Sequence, residues 1–319
     1  MSPVDALERE AQAREGFETV SSEERYSHVP VLLKEVLDLL VTDPEGTYLD
    51  ATVGLGGHAG AVLSTISAQG KLIGTDVDPE ALAAASSRLL AFTGRVRLVR
   101  ANFRNLGQVL APEAGQLAGA LFDLGVSSLQ FDKASRGFSI QHNGPLDMRL
   151  DPDSPLTAAR IVNEWPAEQL ELLLRENGEE RNAGLIARRI VSVRAQKPFE
   201  TTDDLKSLIE REFPRTGRIH PATRTFMALR IAVNQELENL TRGLESVVSL
   251  LKPGGRLAVI SFHSLEDRIV KNVFKSFMDQ GWCERVTHAP VCPGPEEVGH
   301  NPRARSAKLR VVAKMEKRP

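Results

Sequence analysis

Several acidic and polar residues of this sequence stand directly after short apolar runs, where ligand-binding side chains are often found. A glycine-rich segment, Asp50–His58 (DATVGLGGH), follows one run, and Asp76, Asp123 and His263 follow three others. Glycines let a backbone approach a ligand closely, and the helix that begins there offers free N–H groups. An acid about twenty residues later, Asp76, can accept hydrogen bonds from ribose hydroxyls. These residue types predict a ligand that contains a nucleoside.

The details of the glycine segment narrow the choice of ligand. No Gly-Lys-Ser/Thr follows Gly56 and Gly57, and Ala59 stands where a dinucleotide fingerprint has its third glycine. S-adenosylmethionine carries a nucleoside but no pyrophosphate, so it fits this segment better than a dinucleotide does. Asp76 is favoured as the ribose ligand because it has no local capping task, whereas Asp78 precedes a proline and is expected to cap the next helix.

Two further loops are predicted to face the same ligand. Phe103, after the third run, could pack on an adenine ring, although a single phenylalanine more often belongs to a core. The segment Asp123–Gln130 (DLGVSSLQ) follows the fourth run, and open α/β sheets bind ligands at the carboxyl ends of their strands. Its serines could instead bond the neighbouring backbone. His263 follows a later strand, just before a capping box expected from Ser264 and Asp267, and its contact with substrate stays open.

The apolar periodicity predicts the elements that position these residues. Four strands alternate with helical patterns, as βαβ units of a parallel sheet do: Thr47–Ala51, Lys71–Thr75, Arg95–Val99 and Ala118–Leu124. Helical patterns without a convincing strand then fill about 132–250, ending in one long helical stretch over Thr223–Leu251. Strand character returns in three segments: Arg256–Phe262, Trp282–His288 and Ala307–Lys314. The sequence therefore predicts an α/β sheet domain (28–135 and 240–319) interrupted by an all-helical insertion (136–239).

The composition limits the class of protein. A chain of 319 residues with 41% hydrophobic and 26% charged residues is neither disordered nor fibrous, and a net charge of −2 excludes a uniformly basic nucleic-acid binder. Charge is uneven, however. Residues 1–27 form an acidic zone expected to be a mobile tail or a loosely held helix. Segment 181–230 has eleven basic and five acidic residues, and segment 301–319 has seven and one. Two such clusters favour a polyanionic partner.

Cysteine usage and hydropathy bear on the compartment. Two cysteines cannot form a disulfide framework, which fits a reducing environment. Together with two histidines they lack a Cys-x-x-Cys pair, so no metal site is expected from Cys283, His288, Cys292 and His300. No apolar run is long enough to cross a membrane, and no signal peptide is recognised, so the cytoplasm is the expected location.

Nine segments of the chain resemble one family, the bacterial ribosomal RNA small subunit methyltransferase H family. That family transfers a methyl group from S-adenosylmethionine to N4 of one cytidine of 16S rRNA, in the decoding centre. The segments run from His28 to about Arg310, nearly the whole chain beyond the acidic zone: His28–Leu33, Gly56–His58, Asp123–Ser128, Arg136–Ser139, Gly144–Arg149, Gly178–Arg181, His220–Phe226, Ser261–Arg268 and Asn301–Ser306.

The resemblance implies a Rossmann-like class I S-adenosylmethionine-dependent methyltransferase fold, 16S rRNA of the small subunit as partner, and neither membrane nor DNA. It implies seven cofactor contacts: Gly56, Gly57, His58, Asp76, Phe103, Asp123 and Gln130. The sequence departs from the family at Leu129, where the family has proline, which would loosen the loop that holds Gln130. Val53 and Leu55 vary the glycine turn without removing a polar group.

The catalytic residue is left open by the sequence. The lone pair of cytosine N4 is delocalised into the ring, so a nearby group must accept its N–H for the amine to attack a methyl group. The Asp/Asn-Pro-Pro-aromatic motif of many such enzymes is replaced here by Asp123–Ser128. A serine hydroxyl, a backbone carbonyl or His263 could serve instead. Two other functions remain open: methylation of a small molecule, and RNA binding in which S-adenosylmethionine is only a sensor ligand.

Overall fold

The computed structural model describes residues 30–213 and 220–316. The predicted acidic tail, residues 1–27, lies outside this part of the chain, as do His28 and Val29 of the family pattern and Arg215 and Arg218 of the basic segment.

Seven strands form a single sheet in the order β3-β2-β1-β4-β5-β7-β6. Strands β1–β5 run parallel to one another, whereas β7 pairs antiparallel with both β5 and β6. This arrangement confirms the predicted Rossmann-like α/β fold. The strands are β1 (Thr47–Asp50), β2 (Lys71–Asp76), β3 (Val96–Arg100), β4 (Leu117–Asp123), β5 (Leu251–Ser261), β6 (Cys283–Arg285) and β7 (Lys308–Lys314).

Helices cover both faces of the sheet and fill the long segment between β4 and β5. In the described ranges they are α1 (Leu33–Leu40), α2 (Gly57–Thr65), α3 (Pro79–Arg88), α4 (Leu106–Val109), α5 (Ser128–Asp132), α6 (Ala158–Glu164), α7 (Ala167–Gly178), α8 (Ala183–Arg194), α9 (Thr202–Glu212), α10 (Thr223–Asn234), α11 (Glu236–Val247), α12 (Ser264–Asp279) and α13 (Pro295–His300). None of these helices is long and apolar enough to span a membrane.

Buried apolar residues form three clusters. One cluster joins α1, α2 and α3 to one face of the sheet, and a second joins α4, α11 and α12 to the other face. The third contains residues from Phe138 to Val233 and holds α6–α10 together. Burial on both faces explains why the central strand β4 (LAGALFD) reads as a continuous apolar run before its final aspartate.

The structure differs from the predicted elements at three places. The long helical stretch from Thr223 is broken at Gln235, whose φ of 50° is left-handed, so α10 and α11 are separate helices. Strand β5 begins at Leu251 because this residue pairs with Leu117 of β4 before the register shifts. The predicted strand Trp282–His288 is only three residues long, since its pairing with β7 is limited to Cys283–Arg285.

The predicted capping box of α12 was also wrong. The helix begins at Ser264, so the cap is His263, whose Nδ1 accepts the backbone N–H of Glu266 at 3.4 Å. Glu266 completes the box by accepting the N–H of His263. Ser264 instead donates to Glu179, and Asp267 pairs with Arg310 of β7.

Close packing in the sheet gives the first testable expectation. A Cβ atom at Gly119 of β4 would lie 2.7 Å from Leu40 Cδ1 and 3.0 Å from the ring of the fully buried Tyr48. We expect Gly119→Ala to lower the free energy of unfolding by about 1–3 kcal/mol, because overpacking forces neighbouring side chains to move. Urea unfolding measures the loss. Gly299→Ala in α13 is the control, since its Cβ meets nothing within 4 Å. Equal stability of both variants would contradict the packing described.

Candidate active site

A cavity of about 1050 Å³ opens at the carboxyl edge of the sheet. Small-molecule sites typically enclose roughly 300–1,000 Å³, so this cavity has room for more than one small ligand group. Its walls come from the loops after β1, β2, β3, β4 and β5, from the start of α2 and from α10 and α11. Six of the seven predicted cofactor residues line it: Gly57, His58, Asp76, Phe103, Asp123 and Gln130.

The glycine turn after β1 shapes one wall of the cavity. Gly56 does not line it; with a φ of 78°, this residue caps α2 in a left-handed conformation that favours glycine. A Cβ on Gly57 would lie 2.7 Å from Pro30, so glycine lets the segment before α1 cross the turn. Gly54 donates its N–H to the carboxylate of Asp76 at 3.0 Å, which joins the turn to the end of β2.

Asp76 is held by backbone groups and faces the cavity. Its second oxygen accepts the N–H of Asp78 at 3.0 Å. Burial raises the pKa of Asp76 to about 6, against the opposing effect of these two N–H donors. The carboxylate is therefore fixed in orientation and keeps lone pairs for the hydroxyls of a ribose.

Two more carboxyl groups and a histidine lie beside Asp76. Together Asp50, Asp76, Asp123 and His58 are called the acid cluster below. Burial raises the pKa of Asp50 to about 7, although the neighbouring His58 opposes the shift. Nδ1 of His58 lies 3.4 Å from Asp123 Oδ2, and its Nε2 lies 3.0 Å from the carbonyl oxygen of Val31. Burial lowers the pKa of His58, but Asp123 and Asp50 outweigh this effect and the net shift is upward.

The acid cluster fits a cationic ligand. Oδ1 of Asp123 is buried and has no hydrogen-bond partner among the residues described. The acid cluster contains three carboxyl groups and only one imidazole. When the carboxyl groups are ionised, the cluster therefore has an excess of negative charge at a partly buried position. The α-ammonium and sulfonium groups of S-adenosylmethionine would compensate such an excess.

Phe103 lies both at the cavity wall and against the core. The ring lines the cavity and also packs edge-on against Phe122 of β4, with centroids 5.6 Å apart. Gly243 of α11 lies against it so closely that a Cβ there would come within 2.9 Å of the Phe103 ring. The core therefore holds one edge of the ring while another part faces the cavity.

Gln130 lines the cavity, but both ends of its side-chain amide form hydrogen bonds within the protein. Its Nε2 donates to Asp78 at 2.8 Å, and its Oε1 accepts the N–H of Ser127 at 3.0 Å. Asp78 caps α3, as predicted, and also pairs with Arg136 at 2.8 Å. Gln130 thus fixes the loop after β4, despite Leu129 in place of the family's proline.

The cavity contains a second group of polar residues. Of its four members, only His263 was considered in the sequence analysis as a residue that contacts the substrate. This group, called the Arg230 cluster, consists of Arg230, Glu236, His263 and Glu266. Arg230 donates two hydrogen bonds of 2.8 Å each to the two oxygens of Glu236. Glu266 accepts the backbone N–H of Phe262 at 2.8 Å and lies 3.2 Å from Nε2 of His263. No sequence spacing indicates this group, because its members come from α10, α11, the cap of α12 and its first turn.

Charged groups of opposite sign lie next to one another in the Arg230 cluster. Burial would raise the pKa of Glu266, but His263 and Arg230 bring it below its ordinary value. Ligand atoms of Glu236, His263 and Glu266 come within 4.8 Å of one another, a spacing that could admit a metal ion. The guanidinium of Arg230 is bound to both Glu236 oxygens, however, and its positive charge opposes a metal ion there, so the arrangement is that of an ion-pair network.

Comparison with known proteins identifies the family. The model of the MraW methylase family matches residues 25–315. The chain belongs to this family. A ribosomal RNA small subunit methyltransferase H of Symbiobacterium thermophilum is 49% identical over 310 residues, covering 91% of this chain and 98% of the relative. Its counterpart in Geobacter sp. strain M21 is 47% identical over 312 residues, covering 92% and 100%.

The resemblance stated from the motifs is thereby confirmed, and so are the predictions of a methyltransferase and of S-adenosylmethionine as its methyl donor. Among solved structures, the chain is similar to an S-adenosylmethionine-dependent O-methyltransferase of Thermotoga maritima. Their TM-score is 0.40 at 10% identity, covering 97% of this chain and 71% of that one.

Binding of S-adenosylmethionine to this family member should depend on pH. Asp50, with a pKa of about 7, and Asp76, with a pKa of about 6, are largely protonated at pH 5.5 and ionised at pH 7.5. Ionised carboxylates attract the cationic ligand, so we expect the Kd to fall about tenfold over this interval. Calorimetric titration at several pH values measures the change. In the Asp50→Asn variant, the Kd should change less with pH in the upper part of this interval. An unchanged pH dependence of the Kd in that variant would contradict the role of Asp50.

Proposed function

We propose that this methylase transfers the methyl group of S-adenosylmethionine to N4 of a specific cytidine of 16S rRNA, in the decoding centre of the small ribosomal subunit. The names of the relatives support a small-subunit rRNA substrate. The observation that carries the proposal is the cavity itself, in which the acid cluster and the Arg230 cluster line the same space.

The proposed cofactor contacts are those of the predicted set that reach the cavity. Asp76 would accept hydrogen bonds from the ribose, Phe103 would pack on the adenine, and Asp123 would face the ammonium group. Gly57 and His58 would line the methionine end, and Gln130 would hold the loop after β4. Gly56 acts indirectly, since it sets the conformation from which α2 begins.

The protein's contribution to the reaction is mainly position and polarity. The sulfonium supplies an electrophilic methyl group when the cofactor is bound. The cavity walls would hold a cytosine with N4 in line with that methyl group and exclude water from the path. A side chain at the wall would accept an N–H of the amine, so that its lone pair is available for attack. The base has to leave its stack to enter a cavity of this kind.

The helical segment 136–239 is proposed to be an RNA-recognition domain inserted into a methyltransferase domain of residues 28–135 and 240–319. Part of its basic excess serves the fold, since Arg189, Lys197 and Arg230 pair with nearby acids. Arg181 and Arg188 are exposed and make no ion pair within the described ranges. Such cations suit contacts with phosphates and with RNA shape.

The C-terminal basic segment contributes less to this surface than its composition suggests. Arg303 pairs with Asp132, and Lys308 and Arg310 both pair with Asp267. A cytoplasmic location and ribosomal subunits as the partner, without membrane or DNA, complete the proposal.

The proposal is tested by methyl transfer to small subunits from a strain that lacks the enzyme, followed by nucleoside analysis. We expect N4-methylcytidine at a single 16S rRNA position. Asp123→Asn should lower the rate at least 100-fold, because it removes a charge from the acid cluster. Asp279→Asn, in an exposed pair with Lys275 at the end of α12, is the control and should leave the rate unchanged. A methyl group on another nucleoside would show that the proposed substrate is wrong. Binding of the cofactor without any methyl transfer would favour a protein in which S-adenosylmethionine is only a sensor ligand.

The proposed RNA surface gives a separate expectation. Replacing both Arg181 and Arg188 by Ala should raise the KM for subunits about tenfold while kcat stays near the wild-type value. Each lost phosphate contact should also lower the slope of log affinity against log salt by about 0.7–0.9. The control is Arg160→Ala, whose charge is already paired with Glu164. A double variant with an unchanged salt slope would show that RNA does not contact this surface.

A further inference from the structure

We propose that the Arg230–Glu236 ion pair reads the Watson–Crick edge of the target cytosine, and that Glu236 accepts the proton that N4 releases. The inference rests on the proposed function and assigns the proton acceptor that the sequence leaves open. It is argued from the position, the hydrogen-bonding capacity and the accessibility of the side chains on the cavity wall.

The Arg230–Glu236 pair lines the same cavity as the acid cluster. Glu236 begins α11, the helix that packs against the Phe103 segment through Gly243. The residue before it, Gln235, accepts a hydrogen bond from Arg104, the neighbour of Phe103. The other members of the Arg230 cluster, His263 and Glu266, lie in the cap and first turn of α12, directly after β5, which is the strand next to β4 and Asp123. A base between these walls would lie next to a cofactor held by the acid cluster.

The pair presents the hydrogen-bonding pattern that cytosine needs. A carboxylate accepts from the N4 amino group, and a guanidinium beside it donates to N3 or O2. Uracil presents the reverse order, with an acceptor at O4 and a donor at N3. Its O4 would therefore face the Glu236 carboxylate, and its N3–H would face the Arg230 guanidinium. Each Glu236 oxygen takes one hydrogen bond from Arg230 and retains a further lone pair.

The other candidate side chains are less suited to accept a proton from N4. Nδ1 of His263 accepts the Glu266 N–H at 3.4 Å, which leaves Nε2 to carry the ring proton; Nε2 lies 3.2 Å from a Glu266 oxygen without a hydrogen bond to it, and is a donor rather than an acceptor. The Ser127 hydroxyl accepts the N–H of Gln130 in the cap of α5. Glu266 is only 4% exposed and accepts two backbone N–H groups, whereas the side chain of Glu236 is 13% exposed and lines the cavity.

The proposed step conserves atoms and charge. The N4 lone pair forms a bond to the methyl carbon while the carbon–sulfur bond breaks, and that electron pair remains on sulfur as a neutral thioether. The N4–H bond then breaks, and the proton passes to a carboxylate oxygen of Glu236. A protonated exocyclic amine of cytosine is a strong acid because deprotonation restores delocalisation into the ring. A carboxylate paired with arginine is therefore basic enough.

Kinetics of Glu236→Gln on small subunits tests the proposal. We expect kcat for N4-methylcytidine formation to fall at least 100-fold, in the range typical of lost general-base catalysis. The Kd for S-adenosylmethionine should stay within threefold, because the acid cluster is intact. The glutamine keeps the size of the side chain, and Glu266 remains as a counter-charge for Arg230. Glu236→Asp should recover part of kcat, since it restores the carboxylate.

Glu238→Gln is the matched control. Glu238 lies on the same helix in an exposed ion pair with Arg242 and does not line the cavity, so its variant loses one charge and one ion pair outside the site. If Glu236→Gln turns over within threefold of the wild type, the inference is wrong. If Glu236→Gln does not bind the cofactor, Glu236→Asp decides: near wild-type cofactor binding with reduced kcat supports the inference, and unchanged kcat overturns it. Absence of N4-methylcytidine with the wild type would instead reject the proposed function.

Discussion

Parallel pairing of β4 between β1 and β5 is the constraint on which the site depends. Asp50 is in register with Leu121, and Asp123 with Ile260, so three strands end at nearly the same level of the sheet. The hydroxyl of Thr52 accepts the backbone N–H of Asp123 at 2.7 Å, which ties the loops after β1 and β4 together. Any shift of this register would move the carboxyl groups apart and change the shape of the cavity.

The cavity has two halves of different electrostatic character. The acid cluster carries more negative than positive charge and keeps an unpaired buried oxygen, which suits a ligand with two cationic centres. In the Arg230 cluster, Arg230 and Glu236 compensate each other's charge and offer an acceptor beside a donor, which suits a neutral base. Desolvation strengthens both effects, because partly buried charges are screened less than exposed ones. This division supplies a physical reason for binding an alkylating cation and an amine nucleophile side by side.

Much of the fold was predictable because local signals and the tertiary structure agree. Apolar runs between helical patterns gave the strands, and Asp78 before Pro79 gave a cap that the structure contains. The meeting of six predicted cofactor residues at one cavity was predictable for a similar reason, since most of them directly follow strands. The break at Gln235 was not, because its left-handed backbone has no glycine or proline to mark it. The assignment of the α12 cap to Ser264 failed because a histidine took the capping role.

The Arg230 cluster shows where sequence reasoning ends. Arg230 and Glu266 are far apart in the sequence, and their approach depends on how α10 and α11 pack against the end of β5. No spacing in the sequence connects Arg230 with Glu266, and each of these charged residues taken alone is typical of a solvent-exposed helix face. Only the assembled cavity shows that Arg230 and Glu236 form a partly buried pair. The family motif around His263 marked the place without indicating which neighbour has the chemical role.

A structure of this protein bound to the small ribosomal subunit with S-adenosylhomocysteine would show whether the cofactor and the target base share the cavity. The expected result is one cytosine turned out of its stack and inserted into the cavity, with the thioether near Asp123 and N4 within hydrogen-bond distance of Glu236. A cytosine that remains stacked in the RNA while the segment 136–239 is docked, or a base bound outside the cavity, would contradict the central claim that one cavity holds both reactants.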